Sequence, residues 1–382
     1  MYTITSTLAE QILQHAANHS LPFYLYDAAE IVRTCRRFQD IRWDYKAIHF
    51  ATMANDSPEF LRVVRMAGCK VFVNSLQHLD LVTSIGFQGP EVIFTASAMD
   101  ERTMRMVHDR GALVNLDSPG QIREWLRLFP DGRAWLRCNI GELVKPQGTR
   151  AGYFLWRESR LGLTMDQVRA LVGAPWVEGL HLYVGTDILD LTHFRECYEH
   201  LAKLARLFPS LRYLDLGGGF GVGRTEAEQF DIETYGRMVT DLMRNVSTQA
   251  KRSVRLVLEP GRIIGATAGW FVCRVTDVKP REGRMLVGVN ASVAQFPRQL
   301  FYPDSAFHPA VLLPADGRAA AALEVPTDVF GCSTYSRDYL ARGVELPAAE
   351  PGDLVVFGQA GAYCASAHTA FMGFPRPEEH FI

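Results

Sequence analysis

Residues 49–56 read HFATMAND, an apolar run from His49 to Ala51 that passes into the polar turn Asn55, Asp56, Ser57 and Pro58. This is the build of a buried strand ending at a turn. The side chain such a strand end offers to a reaction site is Met53, and a thioether serves as neither nucleophile, acid nor base. Seven similar runs follow: KVFVNS (70–75), EVIFTA (91–96), ALVNLD (112–117), AWLRCNI (134–140), VEGLHLYVG (177–185), LRYLDLGGG (211–219) and VRLVLEP (254–260). Between them lie amphipathic, helix-length segments such as SPEFLRVVRMAG (57–68) and THFRECYEHLAKLARLF (192–208). Ser57, Asp100, Ser118 and Thr192 stand where helix-capping residues belong. Eight strands alternating with helices predict an α/β fold, a (β/α)8 TIM-like barrel over residues 23–265.

After residue 265 the texture changes. WFVCRVTDVKP, RMLVGVNA, AALEVPTDVFG and GDLVVFGQAG are strand-like and separated by Gly, Pro and Asp turns. A β-rich second domain is expected over 266–382, with residues 1–22 packing on it.

The chain has 382 residues, 48% hydrophobic and 21% charged, enough for two domains with large cores. Its formal net charge is −2, with Lys and Arg scattered, which argues against nucleic-acid or membrane-surface binding. The seven cysteines are odd in number and form no CxxC pair, so neither a disulfide framework nor a cysteine zinc site is expected, and a reducing cytoplasm suits them. The N-terminal stretch alternates at helical spacing and does not read as a signal peptide, and no apolar run approaches the ~20 residues of a membrane span. The motifs announce no metal centre.

In a barrel, chemistry sits at the C-terminal strand ends. Here these hold Met53, Ser75, Thr95, Asp117, Asn139, Tyr183 to Thr186, Gly217 to Gly219, and Glu259. Three consecutive glycines let backbone N–H groups turn toward an anion, and alone they equally describe a tight strand–helix turn. Glu259, beside Arg262, is either paired with that arginine or serves a cationic ligand.

Taken in order, these motifs resemble the fold-type III pyridoxal-phosphate decarboxylases of the ornithine and diaminopimelate decarboxylase kind, which share their fold with alanine racemase. LPFYLYD (21–27) resembles the family's lead-in to the barrel, SRLGL (159–163) its S-[KR]-F-G segment and GLHLYVGT (179–186) its G-[IL]-H-x-H-[IV]-G-S strand. DLGGGFGV and EPGR match closely, FPRQLFYPDSAFHP (296–309) resembles the substrate-side segment, and 331–363 the stretch running from a cysteine loop to GAY. The resemblance implies that Gly217, Gly218 and Gly219 bind the cofactor phosphate through backbone N–H groups, with Gly261 and Arg262 closing the cradle and Tyr363 reaching the phosphate. It implies that Glu259 faces the pyridine nitrogen. Arg298 and Tyr302 would line the substrate side. Asp338 would receive the distal amine of an amino-acid-like ligand, from the partner chain of a homodimer with a shared active site.

The sequence departs from the family at several of these positions. Where the family has Y-A-x-K-A-N, residues 50–55 read FATMAN, so Met53 stands at the place of the lysine that holds pyridoxal phosphate covalently and shuttles protons. Tyr183 replaces the histidine stacked on the cofactor ring, Thr334 the cysteine of C-x-[ST]-x-D, and His78 a glutamate; ASAM (96–99) replaces a glycine-rich loop. Lys46 and Lys70 begin their strands, at the wrong end, and only Lys145 follows a strand on the correct rim. Three readings stay open. The chain is an inactive pseudoenzyme that regulates or pairs with a partner, or an enzyme with rebuilt chemistry that binds pyridoxal phosphate non-covalently or not at all, or a lyase carrying an engineered lysine-to-methionine change.

Overall fold

The computed structural model describes residues 3–145, 154–303, 305–319, 321–323 and 325–382. The chain folds into two compact units. One comprises Val32–Met53 and Pro58–Ile263; the other comprises Met1–Ile31, Ala54–Ser57 and Ile264–Ile382.

The first strand, β1 (Phe23–Tyr26), lies in the second unit. The next eight build the first: β2 (Lys46–Ala51), β3 (Lys70–Val73), β4 (Val92–Thr95), β5 (Leu113–Leu116), β6 (Ala134–Cys138), β7 (Val177–Leu182), β8 (Tyr213–Asp215) and β9 (Arg255–Leu258). They form a closed parallel barrel in chain order, and β9 pairs back onto β2 with Ile48 opposite Leu258. Inside the barrel Ala51, Phe72, Ile93, Trp135 and Val257 pack together, with Met53, Leu113 and Tyr213 against them. Gly179 on β7 is required there, because a Cβ would meet the Trp135 indole at 2.5 Å. Outside, helices bury one stripe each; Pro58–Met66 buries Phe60, Leu61, Val63 and Val64.

Two expected caps form: the Asp100 and Ser118 side chains accept the N–H groups of Thr103 and Gln121. The helix Leu191–Ala205 is capped two residues earlier than expected, by Asp190 rather than Thr192. Asp190 accepts the Thr192 N–H at 2.8 Å, and an ionised carboxylate suits the positive helix end better than a hydroxyl.

The second unit is built on β10 (Gly269–Arg281), β11 (Arg284–Val289), β12 (Ala310–Leu313), β13 (Thr327–Phe330), β14 (Tyr339–Val344), β15 (Leu354–Phe357) and β16 (Glu378–Phe381). The sheet runs β12-β15-β10-β11-β13-β14, and β1 pairs with both β10 and β16. The helix α1 (Ser6–Asn18) closes one face, packing Ile12 and Ala16 on Phe23, Leu25, Trp270, Val272, Leu354 and Val356.

The expected barrel start at residue 23 is corrected here. Phe23–Tyr26 runs antiparallel to Gly269–Val272 and parallel to Glu378–Phe381, so both its edges are satisfied within this sheet. The turn Ala54–Ser57, directly after Met53, also belongs to this unit. Ala54 O accepts the Tyr363 N–H at 2.7 Å, and Asn55 Nδ2 donates to Gly361 O at 3.1 Å.

Asp338 is a second correction. It is 2% exposed, and its carboxylate accepts from Val293 N–H (2.6 Å), Ser292 Oγ (3.2 Å), Ser333 N–H (3.0 Å) and Ser333 Oγ (2.5 Å). A carboxylate so fully engaged ties two loops together, and it has no lone pair free for a substrate amine without breaking that network.

Candidate cofactor and catalytic site

The strongest convergence of predicted residues is at the C-terminal ends of β7, β8 and β9. The chain leaves β8 through Gly217 (φ +66°) and Gly219 (φ +98°), a backbone region that favours glycine. A Cβ on Gly217 would meet Leu182 O at 2.2 Å, and one on Gly218 would meet Glu259 O at 2.3 Å. The turn is therefore pressed between its two neighbours. Glu259 N–H donates to Gly217 O at 2.8 Å, which locks the β9 end to it.

The predicted phosphate cradle is narrower than expected. The Gly217 N–H donates to Asp215 Oδ1 at 2.9 Å and is not available to an anion. The N–H groups of Gly218 and Gly219 meet no acceptor among the described residues, which leaves two adjacent donors for one.

Behind the glycines, three ionisable groups converge inside the barrel. Ligand atoms of His181 (β7), Asp215 (β8) and Glu259 all lie within 4.8 Å of one another, and the residues are 1%, 0% and 5% exposed. Glu259 Oε2 sits 3.3 Å from His181 Nε2. Glu259 Oε1, Asp215 Oδ2 and His181 Nδ1 are buried without hydrogen-bond partners among the described residues. Burial pushes the Glu259 carboxyl up to about 7, against the opposing pull of Asp215 and of the Arg137 guanidinium. Burial and the neighbouring Glu259 charge hold Asp215 well above the usual carboxylate range. Burial lowers His181 to about 4, so the imidazole is neutral at pH 7. A half-satisfied carboxyl of this kind is suited to a cationic N–H partner.

Sequence reading left His181, Asp215 and Arg137 unassigned. The signal for the first two was present: the period of two along a strand puts His181 with Tyr183, and Asp215 with Gly217.

Tyr183 lines the same mouth. A Cβ built on Gly218 lies 3.8 Å from Tyr183 Cε2, and the Tyr183 ring meets Phe154 edge-on at 5.1 Å. Met53 sits in the single turn Thr52–Ala54 that follows β2, with its sulfur 4.0 Å from Asn74 Nδ2 at the end of β3. Ala51 N–H donates to Pro260 O, so Met53 and Glu259 leave neighbouring strands at the same end of the barrel. Lys46 and Lys70 open β2 and β3, at the other end. The 96–99 loop is pinned by Ser97 Oγ donating to Asp117 Oδ2 at 2.5 Å and Gln121 Nε2 donating to Ala96 O at 2.8 Å.

Gly261 precedes Arg262 after β9. Arg262 Nη1 is 2.6 Å from Asp187 Oδ1, and Asp187 takes φ +55°. The predicted phosphate partner thus has its charge committed to a carboxylate. Asp187→Asn should release it and tighten binding of inorganic phosphate and of pyridoxal phosphate by about tenfold. Equilibrium titration measures this; an unchanged affinity would remove Arg262 from the cradle.

Arg298, Tyr302, Thr334, Asp338 and Tyr363 all belong to the sheet unit. Arg298 is buried, with its guanidinium 5.2 Å from the Tyr302 ring centroid. Thr334 is exposed, as is Cys332 two residues earlier. Tyr363 takes φ +56° in the GAY turn.

Comparison with known proteins agrees with this geometry. The family model for the pyridoxal-binding domain of pyridoxal-dependent decarboxylases matches residues 28–266. The chain is 30% identical over 379 residues to the diaminopimelate decarboxylase of Deinococcus radiodurans, covering 98% of this chain and 93% of that protein. A crystal structure of diaminopimelate decarboxylase superposes with a TM-score of 0.89 at 25% identity, covering 98% of this chain and 91% of that one. The diaminopimelate decarboxylase of Helicobacter pylori complexed with L-lysine shares the fold, with a TM-score of 0.84 at 20% identity, and covers 98% of this chain and 93% of its own.

Proposed function

The chain belongs to the pyridoxal-dependent decarboxylase family, and from that premise we propose that it binds pyridoxal phosphate without a covalent bond and acts on an amino-acid-like ligand by chemistry that uses no lysine. What supports this reading is a pair of backbone donors at the expected cradle together with Met53 at the position that matches the family's lysine. The N–H groups of Gly218 and Gly219, which meet no acceptor among the described residues, fit the phosphate end of that cofactor, and the buried Glu259 carboxyl fits its ring-nitrogen end. Met53 stands where a covalent hold would be made.

When bound, pyridoxal phosphate supplies an electron-poor ring that accepts the electron pair released at an amino acid's α-carbon. The chain's own residues do the rest. Gly218 and Gly219 would hold the phosphate. Glu259 would hold a proton on the ring nitrogen, with His181, 3.3 Å from Oε2, fixing the carboxyl's orientation. Tyr183 packs at the mouth in place of an imidazole, and Met53 offers an apolar surface that excludes water but moves no proton. In the barrel unit Gly261 and Arg262 would extend the cradle, and the protein would act as a homodimer. The L-lysine held by the Helicobacter pylori structure supports an amino-acid-like ligand.

Titration of the purified protein with pyridoxal phosphate, followed by borohydride reduction and peptide mass spectrometry, tests the proposal. The expected result is reversible binding with a free-aldehyde absorbance band and no pyridoxyl group on Lys145 or any other lysine. A reduced lysine adduct would refute it. Absence of binding would favour the inactive-relative reading, for which the Arg262–Asp187 pair is the supporting observation.

A further inference from the structure

Far along the chain from the glycine run, the two ends of the sheet unit bring three imidazoles and a carboxylate together. α1 carries His15 in its last turn and His19 at its C-cap, four residues on, about one helical turn apart. β16 carries Glu378 and His380, two residues apart on one face of the strand. The ring centroids of His19 and His380 are 4.1 Å apart, and His15 lies 5.7 Å and 5.9 Å from them.

Glu378 Oε2 is 3.3 Å from His380 Nε2, and ligand atoms of His19, Glu378 and His380 all lie within 4.8 Å of one another. Tetrahedral zinc, with bonds of ~2.0–2.1 Å, places its ligand atoms roughly 3.3 Å apart. The Glu378–His380 edge already has that length.

Two further details point the same way. His380 Nε2 is shielded from water and has no well-directed hydrogen bond among the described residues. His15 Nδ1 lies 2.9 Å from Gln11 O, so Nδ1 carries the hydrogen and donates it, leaving the Nε2 lone pair for a ligand. The His15 and His19 rings stack at 26°, and the His380 ring is tilted against both, at 53° and 37°. A metal ion would engage the ring nitrogens of this cluster together.

We propose that His19, Glu378 and His380 bind a divalent transition metal of the zinc type, with the fourth position open to His15 or to water, and so join the first helix to the last strand. Two imidazoles and one carboxylate form a nitrogen-rich set that selects Zn2+ or Co2+ over Mg2+. Because the donors come from opposite ends of the chain, the metal binds the folded state alone and stabilises it.

The test is titration of the full chain with Co2+ as a spectroscopic probe. One equivalent should develop the intense d–d absorption of a tetrahedral site, Zn2+ should displace it, Mg2+ should not, and Zn2+ should raise the Tm. His19→Ala and Glu378→Gln alter exposed side chains, so the fold is retained, and each should weaken Co2+ binding at least about tenfold. His108→Ala, exposed in the barrel unit, should leave binding unchanged. Absence of the d–d bands in the unaltered protein overturns the proposal. So does a titration that His19→Ala leaves intact, including the case in which only His181→Asn abolishes the signal and so assigns the metal to the barrel cluster.

Discussion

Met53→Lys is expected to convert reversible cofactor binding into covalent attachment at position 53. The two side chains are unbranched and of similar length, and Met53 is half-buried at the edge of the interior cluster, so the strand need not move. An ammonium there would lie beside Asn74, which offers a polar neighbour. The fraction of chains carrying a borohydride-stable adduct at this position should rise from none to near stoichiometric, read by peptide mass spectrometry. Decarboxylation of an amino-acid ligand should stay slow, because Thr334 supplies a hydroxyl at the position matched to the family's thiol, whose ordinary pKa is ~8.5. Adding Thr334→Cys should then raise the rate by about 10²-fold or more, the usual worth of a well-matched general acid. Full turnover from Met53→Lys alone would mean that the methionine is an isolated, engineered change. Failure to attach at all would mean that the Ser97–Asp117 loop and its neighbours close the mouth.

The barrel was readable because each of its strands is a short apolar run stopped by a polar or glycine turn, with an amphipathic helix between it and the next. Its first boundary was not, since FYLY (23–26) has the same buried pattern as a barrel strand. Only its pairing with residues almost 250 positions later assigns it to the other sheet. β12, β14 and β16 escaped notice for a different reason: AVLL (310–313) is too short a run to stand out, YLARGV (339–344) and EEHF (378–381) carry little apolar pattern, and their place depends on pairing partners elsewhere in the chain.

In the site, Gly217 to Gly219 and Glu259 were legible as backbone freedom and an exposed-looking charge at a strand end. What the pattern could not show is who pairs with whom. Asp338 looked available for a substrate amine, yet four nearby donors occupy it. Arg262 looked available for a phosphate, yet Asp187, 75 residues away, holds it at 2.6 Å. Such pairings are made by folding, between residues whose spacing in the chain has no period.

Glu259→Gln should separate stability from function. In the folded chain this carboxyl titrates at about 7, against an ordinary value of 4.5, chiefly because it is buried. An acid whose folded pKa is raised binds more protons in the native state than in the unfolded one between those two values. Stability therefore falls as pH rises from 4.5 to 7, and above 7 the full penalty stands, at most about 3 kcal/mol at 1.36 kcal/mol per unit. Glutamine removes the ionisation and relieves Asp215, whose own pKa is held up in part by the Glu259 charge. The variant should match the unaltered protein near pH 4.5 and exceed it by about 2–3 kcal/mol at pH 8 in urea denaturation without cofactor. Its affinity for pyridoxal phosphate should fall at the same time, by about 10-fold or more, because a neutral amide cannot hold a proton on the ring nitrogen as a carboxylate does. A pocket kept for a cationic ligand keeps its charge despite that loss of stability, since the bound ring nitrogen supplies the missing partner. If the glutamine chain were less stable at pH 8, or bound the cofactor as tightly as before, Glu259 would be a structural group rather than the residue facing the ring.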